Sequence, residues 1–408
     1  MFLILNSIFV HSAITFTPKG EIKMLFLIAI FMIIFSILNI YSPKKTKLVS
    51  LMLLLLILVL FIGNNDNPDY LAYLRNYEKI ENNSFKEFVF SSAYFGFDFL
   101  QYISYNIGFN YNMFVLLVSL IGYGLIVNTI RFFSINENYV LLLYFIYPFF
   151  FDLIQLKNFL AMSILIYSIK YLLSNKKSDT LRYIMLILVA SLIHPVSIVY
   201  LCLLITKFSY KNMIFVFLTI LSFLVSIGIR FNFINLAFLE SASFANDFLA
   251  TKFIYFETRV RYGFLVFSFF NLYSLLLIIL SIKILEKNNK KDYSHEDYKN
   301  SRKYKFVNLM GEVNLLLAII SLPFYFINSN FFRIYRNISL LNYIAFAITR
   351  QSYCEEYPNN NLIAISYDLL IYLLTLMLFF YSFFYNNGLE RILKPIFNNN
   401  IFLDFLKF

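Results

Sequence analysis

Tryptophan is absent from the 408 residues, and histidine (3), cysteine (2), proline (8) and glycine (10) are scarce. Each shortage excludes something. Cys202 and Cys354 stand far apart, so neither a disulfide framework nor a thiolate metal site is expected. His11, His194 and His295 give no HExxH run or other His-rich metal spacing, and the sequence predicts no metal and no cofactor. The glycines form no dinucleotide loop, and no Walker A motif is present, which excludes an ATP-driven transporter. No Ser-His-Asp arrangement is legible. Charged residues make up only 14% of the chain against 60% hydrophobic residues. With a mean hydropathy of +0.70 this is no ordinary soluble protein.

What the sequence does have is long apolar runs, each of roughly 17 to 25 residues, the length that crosses a bilayer as a helix. The fold expected is therefore all-α: one polytopic integral membrane domain over residues 24–408 with about 10–13 transmembrane or half-membrane helices. Phe (51) and Tyr (32) are abundant, and Tyr takes the interfacial role that Trp often has. The net charge of +11 could suggest nucleic acid in a soluble protein. Here the basic residues sit in short loops, so the charge reads as positive-inside topology, with no nucleic-acid partner. Residues 1–23 lack the basic flank of a signal peptide. Lys19-Gly20-Glu21 reads as a ribosome-binding sequence, which makes Met24 the expected start.

The basic loops 44–47, 170–182, 207–211 and 286–305 fall on the cytoplasmic side if 181–206 is a hairpin broken at His194-Pro195; as one helix it would cross once and put Lys207 and Lys211 outside. The hairpin is favoured because proline interrupts a helix and because it collects the basic loops on one face. Segments 64–110 and 230–261 are then external. Tyr70, Tyr73, Leu74 and Tyr77 recur at three- and four-residue intervals, which predicts an amphipathic helix over 68–80, with a second over Phe97–Tyr105. The apolar stretch Tyr139–Phe151 is too short for a straight crossing. It ends in Asp152, just ahead of Gln155, Lys157 and Asn158.

On this topology the polar residues with no solubility role gather on the external face: Asp66, Asp69, Tyr70, Arg75, Asp98, Asp152, Lys157, Asn158, His194, Arg259, Arg261, Arg333 and Arg336. Each has a plainer reading. Arg333, Arg336 and Lys157 could be interfacial anchors, His194 a satisfied core histidine, and Asp69 and Arg75 a charged surface. The functional reading starts from the number of cations. Guanidinium forks on an outer membrane face suit a phosphate or diphosphate at headgroup depth. A polyprenyl-diphosphate-linked sugar fits, with lipid in the bilayer, diphosphate at the interface and glycan outside. Asp66 or Asp69 could take a proton from an acceptor hydroxyl, and the cations could stabilise the leaving diphosphate.

The order of short motifs then carries a resemblance. Asp69-Tyr70-x-x-Tyr73 follows a spanning helix, and Gly96-Phe97-Asp98 follows in the polar segment. Lys157-Asn158-Phe159-Leu160-Ala161 opens a small-residue helix, and Ala190-Ser191-Leu192-Ile193-His194-Pro195 carries a mid-membrane His. Arg333-x-x-Arg336 comes late. From about Met24 onward the chain resembles the EpsG family of Wzy-type exopolysaccharide, capsule and O-antigen polymerases. It departs at Lys157-Asn158, where the family usually has Arg-Gln; lysine keeps the charge but loses the fork.

The resemblance implies a GT-C-like glycosyltransferase of the bacterial inner membrane. It would move a growing glycan from undecaprenyl diphosphate to a hydroxyl of a lipid-linked repeat unit on the external face. It also implies a chain-length regulator as partner and no clear need for a metal. Carried over residue by residue, it makes Asp69, Asp66 and His194 the catalytic candidates. Arg75, Tyr70, Asp98, Lys157, Asn158, Arg259, Arg261, Arg333 and Arg336 become the diphosphate- and glycan-binding candidates. Two other classes stay open. A flippase for the same lipid-linked unit would want paired helical halves, and no repeat is visible. An O-antigen ligase or membrane acyltransferase would share the many helices, but the acyltransferase wants an early membrane-embedded His.

Overall fold

A computed structural model describes residues 24–42, 46–90, 92–230, 263–288, 301–357, 361–385 and 388–402. Arg259 and Arg261, with nearly all of segment 230–261, the middle of loop 286–305 and residues 1–23, lie outside the described residues.

The apolar runs form helices because a helix satisfies its own backbone where no water can. In chain order these are α1 (Met24–Tyr41), α2 (Lys47–Ile62), the short α3 (Tyr70–Glu78) and α4 (Phe85–Val89), α5 (Phe95–Asn106) and α6 (Tyr111–Phe132). Next come α7 (Glu137–Ile146), α8 (Phe149–Ile154), α9 (Leu156–Ser168) and α10 (Lys177–Ile193). After them run α11 (Lys211–Arg230), α12 (Gly263–Asn288), α13 (Arg302–Ile327) and α14 (Arg333–Arg336). The chain closes with α15 (Ser339–Glu356), α16 (Asn361–Phe380) and α17 (Lys394–Asn398). No strand occurs among the described residues, only a single bridge between Asn64 and Asn400. Among the described residues, seven helical stretches are long and apolar enough to cross a membrane, and three shorter apolar helices accompany them. The protein is an all-α multi-pass membrane protein.

Three helices form the interior. In α15 every residue from Ser339 to Arg350 is buried, and α7 and α9 are buried along nearly their whole length. α2, α6, α10, α12 and α13 pack around them. This placement explains why α15 carries Asn342, Tyr343, Thr349 and Arg350: it faces protein rather than lipid, so polar side chains can find partners. Asn314 of α13 and Asn342 exchange two amide hydrogen bonds of 2.7 and 3.0 Å. Arg350 lies within α15. Its Nε donates to Asp368 of α16 at 2.7 Å, and both groups are buried. The hydroxyls of Tyr139 (2.9 Å) and Tyr41 (2.8 Å) donate to the same carboxylate.

The stretch 181–206 folds back on itself. α10 ends at Ile193, His194 is extended, and Pro195–Lys207 returns as a 3₁₀ helix. The Tyr183 hydroxyl donates to the Tyr200 carbonyl at 2.6 Å, and Lys207 reaches the Ser174 carbonyl. Both ends therefore meet at the basic side, and His194 sits at the tip. A 3₁₀ helix rises about 2 Å per residue against about 1.5 Å for an α-helix, so thirteen residues match the depth of the 17-residue α10. Two close approaches fix the neighbours of this hairpin. Gly96 of α5 lies against the Leu192 carbonyl, where an added Cβ would meet that oxygen at 3.2 Å, and Gly122 of α6 leaves room for the Phe159 ring of α9.

Candidate functional site

The site is built around the N-terminus of α9. An α-helix leaves its first N–H groups without intrahelical partners, and the helix dipole favours negative charge there. Gln155 precedes α9, and Lys157 and Asn158 stand in its first turn. The half-helix α8 delivers the chain to this point and contributes Phe151 and Asp152.

Lys157 is half-buried, and three aromatic rings surround its ammonium group. Nζ lies 3.9 Å from the centroid of the Tyr94 ring, 5.2 Å from Phe97 and 5.7 Å from Tyr73, all within cation–π range. Asp98 Oδ1 is 3.8 Å away. Asn76 approaches the same carboxylate oxygen, its Nδ2 reaching Asp98 Oδ1 at 3.4 Å and Gln101 Oε1 at 2.9 Å. The amphipathic helices α3 and α5 thus meet over the head of α9. Burial pushes the Asp98 carboxyl up from its usual value, against the lowering effects of Lys157, Ser92 and Asn76.

Asp69 stands at the start of α3, half-buried, with Arg333 close enough to act on its charge. Burial raises its carboxyl above the usual range and the Arg333 guanidinium pulls it partly back. The Tyr73 hydroxyl reaches the backbone of Lys157 and senses both Asp69 and Arg333. Asp69, Tyr73, Lys157, Asp98 and Arg333 therefore form one cluster drawn from four chain segments. His194, buried at the hairpin tip, joins its edge, with its ring centroid 6.0 Å from that of Tyr94.

Arg336 lies deeper and is buried. Its guanidinium donates to Gln155 Oε1 and packs 4.9 Å from the centre of the Phe151 ring. Further hydrogen bonds hold α14 in place. The Tyr200 hydroxyl donates to the Ile334 carbonyl at 2.9 Å. Asn158 and Asn337 exchange amide hydrogen bonds of 2.9 and 3.1 Å. Asn158 thus ties the arginine-bearing turn to α9.

Other predicted residues lie elsewhere. Arg75 is exposed on α3. Tyr70 packs edge-on against Tyr111, with ring centroids 5.5 Å apart. Asp66 is exposed and bonded to Asn399 of the C-terminal segment, whose Ile401 N–H donates to the Gly63 carbonyl at 2.8 Å. Sequence reasoning missed Tyr94, Asn76, Gln101 and Asn337 as parts of the site. Tyr94 stands just before Gly96-Phe97-Asp98 and Asn337 just after Arg336, so the neighbouring motifs were the available signal. Asn76 and Gln101 carried none. Among the described residues no group of three or more His, Cys, Asp or Glu side chains could hold a metal ion.

The fold and the cationic cluster at a helix N-terminus define a multi-pass membrane protein whose polar site is suited to an anion. Residues 48–398 match the model of the EpsG family. The chain belongs to that family, the family of Wzy-type polysaccharide polymerases. No curated protein matches the chain, and no solved structure does.

Proposed function

We propose that this protein is a polymerase of bacterial surface polysaccharide in the inner membrane. It transfers a growing glycan from undecaprenyl diphosphate to a hydroxyl of a lipid-linked repeat unit on the external face. The observation that carries this is the convergence of Lys157, Arg333 and Asp69 at the N-terminus of α9, together with family membership. A helix N-terminus flanked by cations is a ready anion site. In this reading the diphosphate of the donor sits there. Lys157 and Arg333 meet it from outside and Arg336 from below, and they stabilise the charge that grows as the glycan leaves.

Asp69 takes the proton of the acceptor hydroxyl. Burial raises its carboxyl, which makes it a stronger base than an ordinary aspartate. The hydroxyl oxygen attacks the anomeric carbon, the bond to the diphosphate breaks, and undecaprenyl diphosphate leaves. Tyr94, Tyr73 and His194 line the approach and offer faces and edges suited to sugar rings. Asp98 balances Lys157. A chain-length regulator is the partner that family membership leads one to expect.

Gene deletion with complementation tests the proposal. In the deletion, surface polysaccharide on a gel shows single repeat units. Wild type restores the ladder and Arg333→Ala at matched expression does not. Loss of all surface glycan, with lipid-linked units trapped inside, would point to a flippase instead. A normal lipid-linked polymer that fails to reach its final acceptor would point to a ligase.

A further inference from the structure

Among the described residues, two buried Arg–Asp pairs are built in opposite ways. Arg350 and Asp368 form a closed pair: they touch at 2.7 Å, and Tyr41 and Tyr139 satisfy the carboxylate further. Arg336 and Asp152 form an open one. Asp152 is fully buried on α8, yet Oδ1 has no hydrogen-bond partner among the described residues, and Oδ2 accepts only from the Tyr144 hydroxyl, at 3.1 Å. Arg336 is also buried, and its Nε has no hydrogen-bond partner among the described residues. The two charges act on each other without an ion-pair contact. An unmatched buried donor and an unmatched buried acceptor each cost roughly 1–3 kcal/mol, more when charged. A fold that needed only stability would close the gap, as this one does at Arg350. The open pair lies directly under the N-terminus of α9, where Gln155 already holds one arm of Arg336.

We propose that Asp152 is the internal counter-charge of Arg336. It is a positioning residue that keeps the guanidinium balanced but uncommitted until the diphosphate of a lipid-linked substrate engages it. This rests on the diphosphate reading of the site. Once the diphosphate engages Arg336, the carboxylate faces two negative phosphates in a dry setting. It then takes up a proton from water at the external face, and Tyr144 stays bonded to it. Binding therefore weakens as pH rises, because the proton becomes harder to supply. The titratable and charged groups around Asp152 are Arg336 from α14, Tyr144 from α7, Tyr123 from α6 (its hydroxyl 3.3 Å from that of Tyr144) and Tyr147 ahead of α8. Asp69, Asp98, Lys157 and Arg333 face the same anion from above and add their own pH dependence. The signature of Asp152 is thus the difference between wild type and its variant.

The test uses the full chain in nanodiscs and a short-prenyl sugar diphosphate diester as probe, since its phosphates do not titrate near neutrality. Its affinity is measured by calorimetry from about pH 6 to about pH 8.5. Asp152→Asn should bind about tenfold tighter than wild type at the upper end, the size of one screened carboxylate–phosphate repulsion. The gap should close toward the lower end. A gain in affinity cannot come from misfolding. Equal or weaker binding by a folded Asp152→Asn, with an unchanged pH profile, overturns the proposal. Should Asp152→Asn fail to fold, Tyr144→Phe decides. Losing that hydrogen bond favours the protonated carboxyl and should move the fall in affinity to higher pH, and an unmoved profile overturns the proposal. If wild type does not bind the probe, or Arg336→Gln binds it equally well, the diphosphate reading itself fails.

Discussion

Replacing Lys157 by methionine keeps the length and the contact with the rings but removes the charge. Asp98 then loses the cation 3.8 Å away while its own side chain is only 5% exposed. Breaking a buried pair from one side costs roughly 3–5 kcal/mol. Protonation sets a ceiling below that range. A carboxyl with an ordinary value near 3.9 can be neutralised at pH 7 for about 4 kcal/mol, at about 1.36 kcal/mol per pH unit. Burial already holds the Asp98 carboxyl above its usual value, so the ceiling is lower. The loss of the cation–π contacts adds about 0.5–2 kcal/mol. Lys157→Met should therefore destabilise by about 2–4 kcal/mol at pH 7.

The penalty should also depend on pH. In the variant the folded state holds a proton on Asp98 that the unfolded state releases, so stability falls as pH rises above the unfolded value. Near pH 5 the penalty should shrink to about half. Asp98→Asn in the same chain removes the stranded charge. The double variant should lie about 1–2 kcal/mol above the sum of the single effects, a positive coupling. Unfolding in mixed micelles, followed at both pH values for the four forms of the cycle, measures all of this. Additive single effects, or a penalty independent of pH, would refute the argument that Lys157 and Asp98 are an interdependent buried pair. Polymerising activity should stay low in the double variant if, as proposed, Lys157 supplies a cation to the diphosphate.

Two further outcomes are expected. If Asp69 is the base, activity falls on the acid side at a pH above the ordinary carboxylate value, because burial raises its carboxyl; in the residual activity of Arg333→Gln, which removes the group pulling it back, that acid limb should move further up, and an unmoved limb would remove Asp69 from the role. Asp368→Asn strands the buried Arg350 and should lower stability by about 3–5 kcal/mol, while the affinity for a diphosphate probe stays unchanged; α2 separates the Asp368 cluster, which reaches Tyr41, from the start of α3 by about 24 Å, so a changed affinity would contradict that separation.

The sequence by itself determined the class of the protein. Apolar runs long enough for a bilayer leave the backbone no choice but to form helices, so the polytopic all-α fold was legible from hydropathy alone. Pro195 marked the turn at His194, because a proline without its N–H ends a helix, and the short run before Asp152 marked the half-helices α7 and α8. The motifs around Asp69, Asp98, Lys157 and Arg333 were visible because charge next to hydrocarbon is costly and therefore conspicuous. Partners were not visible. Lys157 and Asp98 are 59 positions apart, Asn158 and Asn337 179 apart, and Arg350 and Asp368 meet only because α15 and α16 pack together. Nor could the sequence separate Asp66 and Arg75 from Asp69, since all three share one polar stretch. The tertiary structure decided that: one turn of α3 aims Tyr73 at the head of α9 and leaves Arg75 in solvent, and the C-terminal segment takes Asp66. Polarity is a local property that each residue carries with it. Which polar groups face one another depends on how helices distant in sequence pack, and only the packed bundle determines it.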